Sequence, residues 1–229
     1  TTRESNLLLT KSWAAHTLNA DLHYYQNLNE DEDQTQLQQL PLIEYSATRQ
    51  RLLGGPFMWE ANAELANFWR PEGTRGQRLN LFPRLSLPVS LGRYLEVEPS
   101  VGFSETLYLI DHFDEPVNST VNEDTFQSRE LFDARLEVST EISRIFQMSG
   151  DSWTKTKHTI RPEIVYEYIP EVSQDDLPFF DSTDRISSIN RITYSLTNFF
   201  VARLDRGPGN VAYRDFVRLK FSQSYDLEE

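Results

Sequence analysis

The chain has no cysteine in its 229 residues, so within this stretch disulfides, thiol catalysis and thiolate zinc sites are excluded. Basic residues are also scarce. Lys and Arg number 22 against 35 Asp and Glu, a formal charge of -13, which argues against binding DNA or RNA through phosphate contacts. No apolar run approaches the roughly eighteen residues of a membrane helix, and the mean hydropathy is -0.54. Neither G-x-x-x-x-G-K-[ST] nor G-x-G-x-x-G occurs, so nucleotide binding has no support. The first residues, TTRESNLLLTKSWAAH, lack the basic start, apolar core and small-residue cleavage site of a signal peptide. An exported barrel needs such a signal, and the expectation is therefore a mature or internal segment.

What the chain has is alternation. In Leu79 to Ile110, Leu95, Val97, Pro99, Val101, Phe103, Leu107 and Leu109 share one parity, and Glu96, Glu98, Ser100, Gly102, Ser104, Thr106 and Tyr108 the other. Leu79, Leu81, Pro83, Leu85, Leu87 and Val89 alternate in the same way with Arg78, Asn80, Phe82, Arg84, Ser86 and Pro88, and Leu-Gly-Arg marks the turn between. Period two is the signature of a sheet with one apolar and one polar face. Strands of soluble domains run about five or six residues, whereas a strand crossing a bilayer needs roughly nine to eleven. Leu95 to Leu109 exceeds both, which predicts an apolar face toward lipid and a polar face toward a wet lumen.

The same pattern predicts strands over Leu7–Trp13, Thr17–Leu28, Leu37–Leu52, Phe57–Arg70, Phe132–Phe146, Ile160–Tyr168, Ile192–Leu204 and Val217–Tyr225, about ten in all, with no helix. Leu37–Leu52 is the weakest, because Arg49 and Arg51 continue its apolar parity. Trp59 and Trp69 near opposite ends of one strand suit the aromatic girdles of a membrane barrel. Connections alternate between short (Ala14-Ala15, Gly54 to Pro56, Gly92, Gly150 to Lys155) and long (Asn29 to Gln36, Pro71 to Gln77, Asp111 to Gln127, Pro170 to Ser188), and only Asp205 to Tyr213 blurs the rule. Short turns at one end and long loops at the other are the outer-membrane arrangement. The fold class read from the residues is all-β, an antiparallel up-and-down transmembrane β-barrel.

Three segments, RLNLFPRLSLPVSLGRYLEVEPSVGF, HTIRPEIVYEYIPEVSQDDLPFFDSTD and DRISSINRITYSLTNFF, resemble the barrel domain of the LptD (OstA, organic solvent tolerance) family of lipopolysaccharide-assembly proteins. The resemblance is strongest from Arg78 to Phe200. It implies that residues 1–229 are one internal segment of a closed barrel of 26 strands in the outer membrane of a Gram-negative bacterium. The family's periplasmic domain, its cysteines and the first and last barrel strands, between which lipid leaves, are then expected outside this stretch. It also implies lipopolysaccharide as cargo, a lipoprotein partner (LptE) plugging the lumen, and periplasmic bridge components of the Lpt system. On that reading the chain is wall rather than gate, and not an enzyme.

The candidate lumen-facing residues are Glu60, Glu64, Arg84, Glu96, Glu98, Arg135, Glu137, Glu141, Arg161, Glu163, Glu167, Arg191 and Arg203. Signs are mixed, so no single-sign filter is expected; the plain expectation is hydrated cross-strand pairs worth about 0.2–1 kcal/mol each. Prolines 83, 88, 99 and 162 each remove a ladder donor and are expected at bulges rather than as looseners of the wall. His112 beside Asp111 and near Asp114 is the one acid–histidine cluster a barrel hydrolase would offer, although general-base catalysis requires a geometry that adjacency does not supply. Asp175, Asp176, Asp181 and Asp184 are oxygen ligands of the kind Ca²⁺ takes, but the EF-hand order is missing, and a solvated acidic loop is expected. His16, His23 and His158 have no metal-ligand spacing, and no metal or cofactor is expected. Asn118-Ser119-Thr120 matches the glycosylation pattern incidentally. A porin or substrate-specific channel, a barrel protease or phospholipase, and a soluble β-sandwich binding module stay open as other readings.

Overall fold

The computed structural model describes residues 2–27, 34–113, 124–150, 152–207 and 209–228; Asp114 and the Asn118-Ser119-Thr120 triplet lie outside them. Twelve strands follow one another: β1 (Thr2–Trp13), β2 (His16–Asn27), β3 (Gln38–Arg51), β4 (Met58–Trp69), β5 (Arg75–Ser86), β6 (Val89–Leu91), β7 (Leu95–His112), β8 (Phe126–Ser139), β9 (Ile142–Gln147), β10 (Trp153–Ile169), β11 (Ile189–Asp205) and β12 (Val211–Asp226). Ten of them are hydrogen-bonded in the order β1-β2-β3-β4-β5-β7-β8-β10-β11-β12, with β6 beside β7 and β9 beside β10. This is the expected up-and-down sheet of about ten strands. The path has two ends, β1 and β12, and does not close on itself.

Two expected strands are each broken. The strand expected over 79–89 ends at Ser86, and after Leu87-Pro88 only Val89–Leu91 pairs with β7, through Val89↔Val97, Ser90↔Glu96 and Leu91↔Leu95. The strand expected over 132–146 stops at Ser139 and resumes at Ile142. Prolines explain both seams. Leu87 N–H donates to the Pro99 carbonyl and Thr140 N–H to the Pro162 carbonyl, and at neither proline is there an N–H to return. β10 accordingly pairs with β9 up to Ile160 and with β8 from Glu163 on. Pro83 is not at a bulge, since β4–β5 pairing runs through Ala61↔Pro83 without a shift. Glycine at 92, at φ +70, makes the tight turn before β7.

The boundaries change the alternation of turns and loops at two places. β12 begins at Val211, so 206–210 is as short as the other turns of its end, but β5 begins at Arg75, so the connection 70–74, expected among the long ones, is no longer than 206–210.

The described residues pack as two compact units, one from 1–86, 101–133 and 169–188, the other from 87–100, 134–168 and 189–229. In the first unit the usual inside–outside rule is inverted. Leu65, Leu81, Val101, Phe103 (45% exposed), Leu109 and Phe132 are open, while Arg78, Ser104, Thr106 (0%), Gln127 and Arg129 are buried. The second unit repeats it, with Leu136, Ile164, Leu196 and Leu219 exposed and Ser139, Thr159, Ser195 and Thr197 buried. A soluble sandwich would bury the apolar parity to gain about 25 cal/mol per Å²; here that parity is left for another apolar medium.

Candidate functional site

The first unit's buried residues gather where the segment 170–188 folds onto the polar face of β4, β5, β7 and β8. Alternation places Glu64, Ala66 and Phe68 of β4, Arg78 of β5, Thr106, Tyr108 and Ile110 of β7, and Arg129 of β8 on that face. The segment supplies an apolar foot. Leu177 and Phe180 pack with Ala66, Phe68, Tyr108 and Ile110, and the Phe180 and Phe68 rings stack with centroids 4.4 Å apart. Burying two such side chains is worth about 1.5–3 kcal/mol each.

Beside the foot lies a charged clasp. Arg78, 1% exposed, donates Nη1 to Asp181 Oδ1 (2.7 Å) and Asp184 Oδ1 (2.8 Å), and Nη2 to Asp181 Oδ2 (2.8 Å) and Glu64 Oε1 (2.6 Å). Its guanidinium also lies 4.9 Å from the Phe68 ring centre. Tyr108 Oη donates to Asp184 Oδ1 at 2.9 Å. Arg129 donates to the carbonyls of Asp184 (2.8 Å) and Thr183 (3.0 Å), to Gln174 Oε1 (3.1 Å) and to Thr106 Oγ1 (3.0 Å).

Local sequence makes the segment fit this clasp. The aspartates build a single 3-10 turn, Ser182–Asp184, in which the Asp181 side chain accepts from the Thr183 N–H and Asp184 Oδ2 accepts from the N–H groups of Phe180 and Asp181. Gln174 closes the segment's base by donating to the Ile186 carbonyl and accepting from its N–H. Arg185 donates to the carbonyls of Leu177, Pro178 and Asp184. A fully buried aspartate, 0% exposed at Asp184, is thereby paired and hydrogen-bonded, the condition for burying a charge at all. Burial pushes the Asp181 carboxyl up, but the hydrogen bonds and charge of Arg78 and the Thr183 N–H outweigh it and hold the group below the usual carboxylate range.

The expected solvated acidic loop is therefore corrected for two of its four aspartates. Asp175 and Asp176 are exposed; Asp181 and Asp184 are committed to arginines, because a carboxylate beside a buried guanidinium gains more from that charge than from water. Among the described residues no cluster of His, Asp and Glu is arranged to hold a metal.

The second unit carries a ladder of ion pairs on its polar face. Arg135 reaches Glu137 and Glu167, each at 3.0 Å, and Arg191 reaches the other oxygen of Glu167 at 2.8 Å. Arg161 lies 3.4 Å from Glu137 and 3.6 Å from Glu163, and Ser195 Oγ donates to Glu163 at 3.4 Å. Six of the thirteen residues singled out in the sequence thus form one network. Of the others, Arg84 pairs with Asp133 (2.5 Å) and Glu60 (3.8 Å), Glu64 joins the clasp, Arg203 pairs with Asp205 (3.2 Å), and Glu141 stands 4.0 Å from Lys157. Glu96 is exposed and Glu98 half-buried at the start of β7.

Sequence reasoning missed Arg129, Tyr108 and the two aspartates as a set. Arg129 lay at the edge of an expected loop, and its parity with Asp133 was the available signal; the segment 170–188 carries no periodicity that would show where it folds.

Residues 2–229 match the family described as LPS transport system D. The chain is similar to the LPS-assembly protein LptD of Methylococcus capsulatus, 29% identical over 202 residues, covering 79% of this chain and 18% of that protein. It is likewise similar to the LPS-assembly protein LptD of an Azoarcus species, at 28% identity over 85% of this chain and 26% of the relative. The corresponding protein of Aromatoleum aromaticum is 26% identical over 99% of this chain and 29% of its own length. The chain spans less than a third of each of these relatives.

Proposed function

The chain belongs to the LPS transport system D family, and on that premise we propose that it is a stretch of barrel wall in the outer membrane, part of the conduit that delivers lipopolysaccharide to the outer leaflet. The observation that carries this reading is the inverted parity: long strands with exposed Leu65, Phe103 and Ile164 on one face and buried Arg78, Thr106 and Thr159 on the other. A membrane barrel needs both, because lipid takes the apolar parity and a closed ladder satisfies every backbone group without water. The polar parity then lines the lumen. Glu60, Glu64, Arg84, Glu96, Glu98, Arg135, Glu137, Glu141, Arg161, Glu163, Glu167, Arg191 and Arg203 belong to that lining, and residues 170–188 form a strap held inside it.

The chain is one segment of a larger barrel domain, its partners being a lipoprotein plug and the periplasmic bridge of the same transport system. Its work is non-covalent. Asp111 and His112 are consecutive in β7 and point to opposite faces of the sheet, which opposes a catalytic pair.

Photoreactive side chains introduced one at a time in the full-length protein in bilayers test the reading. Cross-links to lipopolysaccharide or the lipoprotein from positions 64 and 167, and to phospholipid from positions 65 and 164, are the expected result. Phospholipid cross-links from both parities, or labelling of 65 and 164 by water-soluble reagents alone, overturn it.

A further inference from the structure

Two histidines, His16 and His158, lie on the outward, apolar parity. His16 of β2 stands opposite Trp13 of β1 and Ala47 of β3, and Ala47 in turn opposite Ala61 of β4. Its ring stacks on Trp13 with centroids 5.8 Å apart and on Tyr45 at 5.9 Å, and it lies 6.4 Å from the Trp59 ring. His16 Nδ1 is 2.8 Å from Tyr45 Oη, and the Lys11 ammonium is 5.9 Å from the centre of the Trp13 ring. This group belongs to the end of the first unit that carries the turns 14–15 and 52–57.

The second unit repeats the arrangement with different residues. His158 of β10, opposite Arg144 of β9, stacks on Phe200 with centroids 4.2 Å apart and places Nε2 2.9 Å from Asn198 Oδ1. The Phe216 ring is 6.0 Å from Phe200 and meets Trp153 edge-on at 4.9 Å. Arg144 is exposed, as is Arg214, which stands opposite Ala202 of β11. This end of the unit carries the turns 148–152 and 206–210.

Charge selects the occupant. The chain holds 35 acids against 22 bases, yet at these ends the described outward strand residues include Lys11, Arg144 and Arg214 and no Asp or Glu. The outward acids, Glu105, Asp111 and Glu130, lie in the other halves of β7 and β8, and Arg3 and Arg75 stand at the far ends of β1 and β5. Short turns mark the periplasmic end of a membrane barrel. Aromatic rings with a polar edge settle at the membrane–water interface, and Lys or Arg beside them attract anionic lipid headgroups.

We propose that this outward face is a docking surface for anionic phospholipids of the periplasmic leaflet. Lys11 in the first unit, and Arg144 and Arg214 in the second, hold headgroup phosphates, while the rings around His16 and His158 seat the glycerol and the upper acyl chains. The inference rests on the membrane-wall reading.

Spin-labelled lipids in phosphatidylethanolamine bilayers holding the full-length protein test it. Chain-labelled phosphatidylglycerol should associate with the protein several-fold more strongly than phosphatidylethanolamine carrying the same label, as read from the motionally restricted spectral component. Salt at about 1 M should remove the difference. The triple variant Lys11→Gln, Arg144→Gln and Arg214→Gln should take up the two lipids equally. Equal association with the unaltered protein, or a preference that survives either the salt or the triple substitution, would overturn the docking surface while leaving the wall reading intact. Absence of a restricted component with either lipid would overturn the wall reading itself.

Discussion

Arg78 is the residue on which the strap depends. Removing one partner of a buried ion pair strands the other, at a cost of about 3–5 kcal/mol, and Arg78→Met leaves Asp181 and the fully buried Asp184 without their guanidinium. The expected outcome is rapid proteolysis within 170–188 in the full-length protein while the strands stay resistant; unchanged protection would remove Arg78 from this role. Acid should have a related effect. Asp181 has its folded pKa held below the ordinary carboxylate value of about 4, so its contribution is complete above that value and is lost as pH falls through the folded pKa. A spin label at the exposed Asp176 should stay immobile from neutral pH down to the ordinary carboxylate range and loosen only below it. Asp181→Asn should remove that acid-dependent step.

At the level of the strand, backbone chemistry fixes details that the apolar pattern alone leaves open. Alternation does not register a missing N–H, so the expected strands ran through Leu87-Pro88 and Thr140; the breaks come from Pro99 and Pro162, whose partners across the sheet have only a carbonyl to bind. Gly102 shows the converse constraint. A Cβ there would stand 2.0 Å from Asp133 Oδ2 and 3.2 Å from the Phe82 ring, in the space from which Asp133 holds Arg84. Gly102→Ala should therefore lower the temperature at which the folded full-length barrel changes mobility in detergent gels, by an amount corresponding to about 1–3 kcal/mol. Adding Asp133→Ala should recover part of the loss. No recovery would mean that the crowding lies elsewhere.

Across the whole chain, two ladder edges at β1 and β12 and an exposed apolar parity make a poor soluble protein. Residues 1–229 produced alone are expected to aggregate on removal of detergent, as read by sedimentation; a stable soluble monomer would count against the membrane wall. The fold class, the strand number and the two faces were determined by sequence alone, because in a sheet the parity of a residue fixes its face and neighbouring strands need only agree on which face is apolar. Tertiary structure decided the clasp. Arg78, Arg129, Tyr108 and Asp184 come from separate stretches of chain, and a charge is buried only where its partners arrive together in space, which no local pattern records.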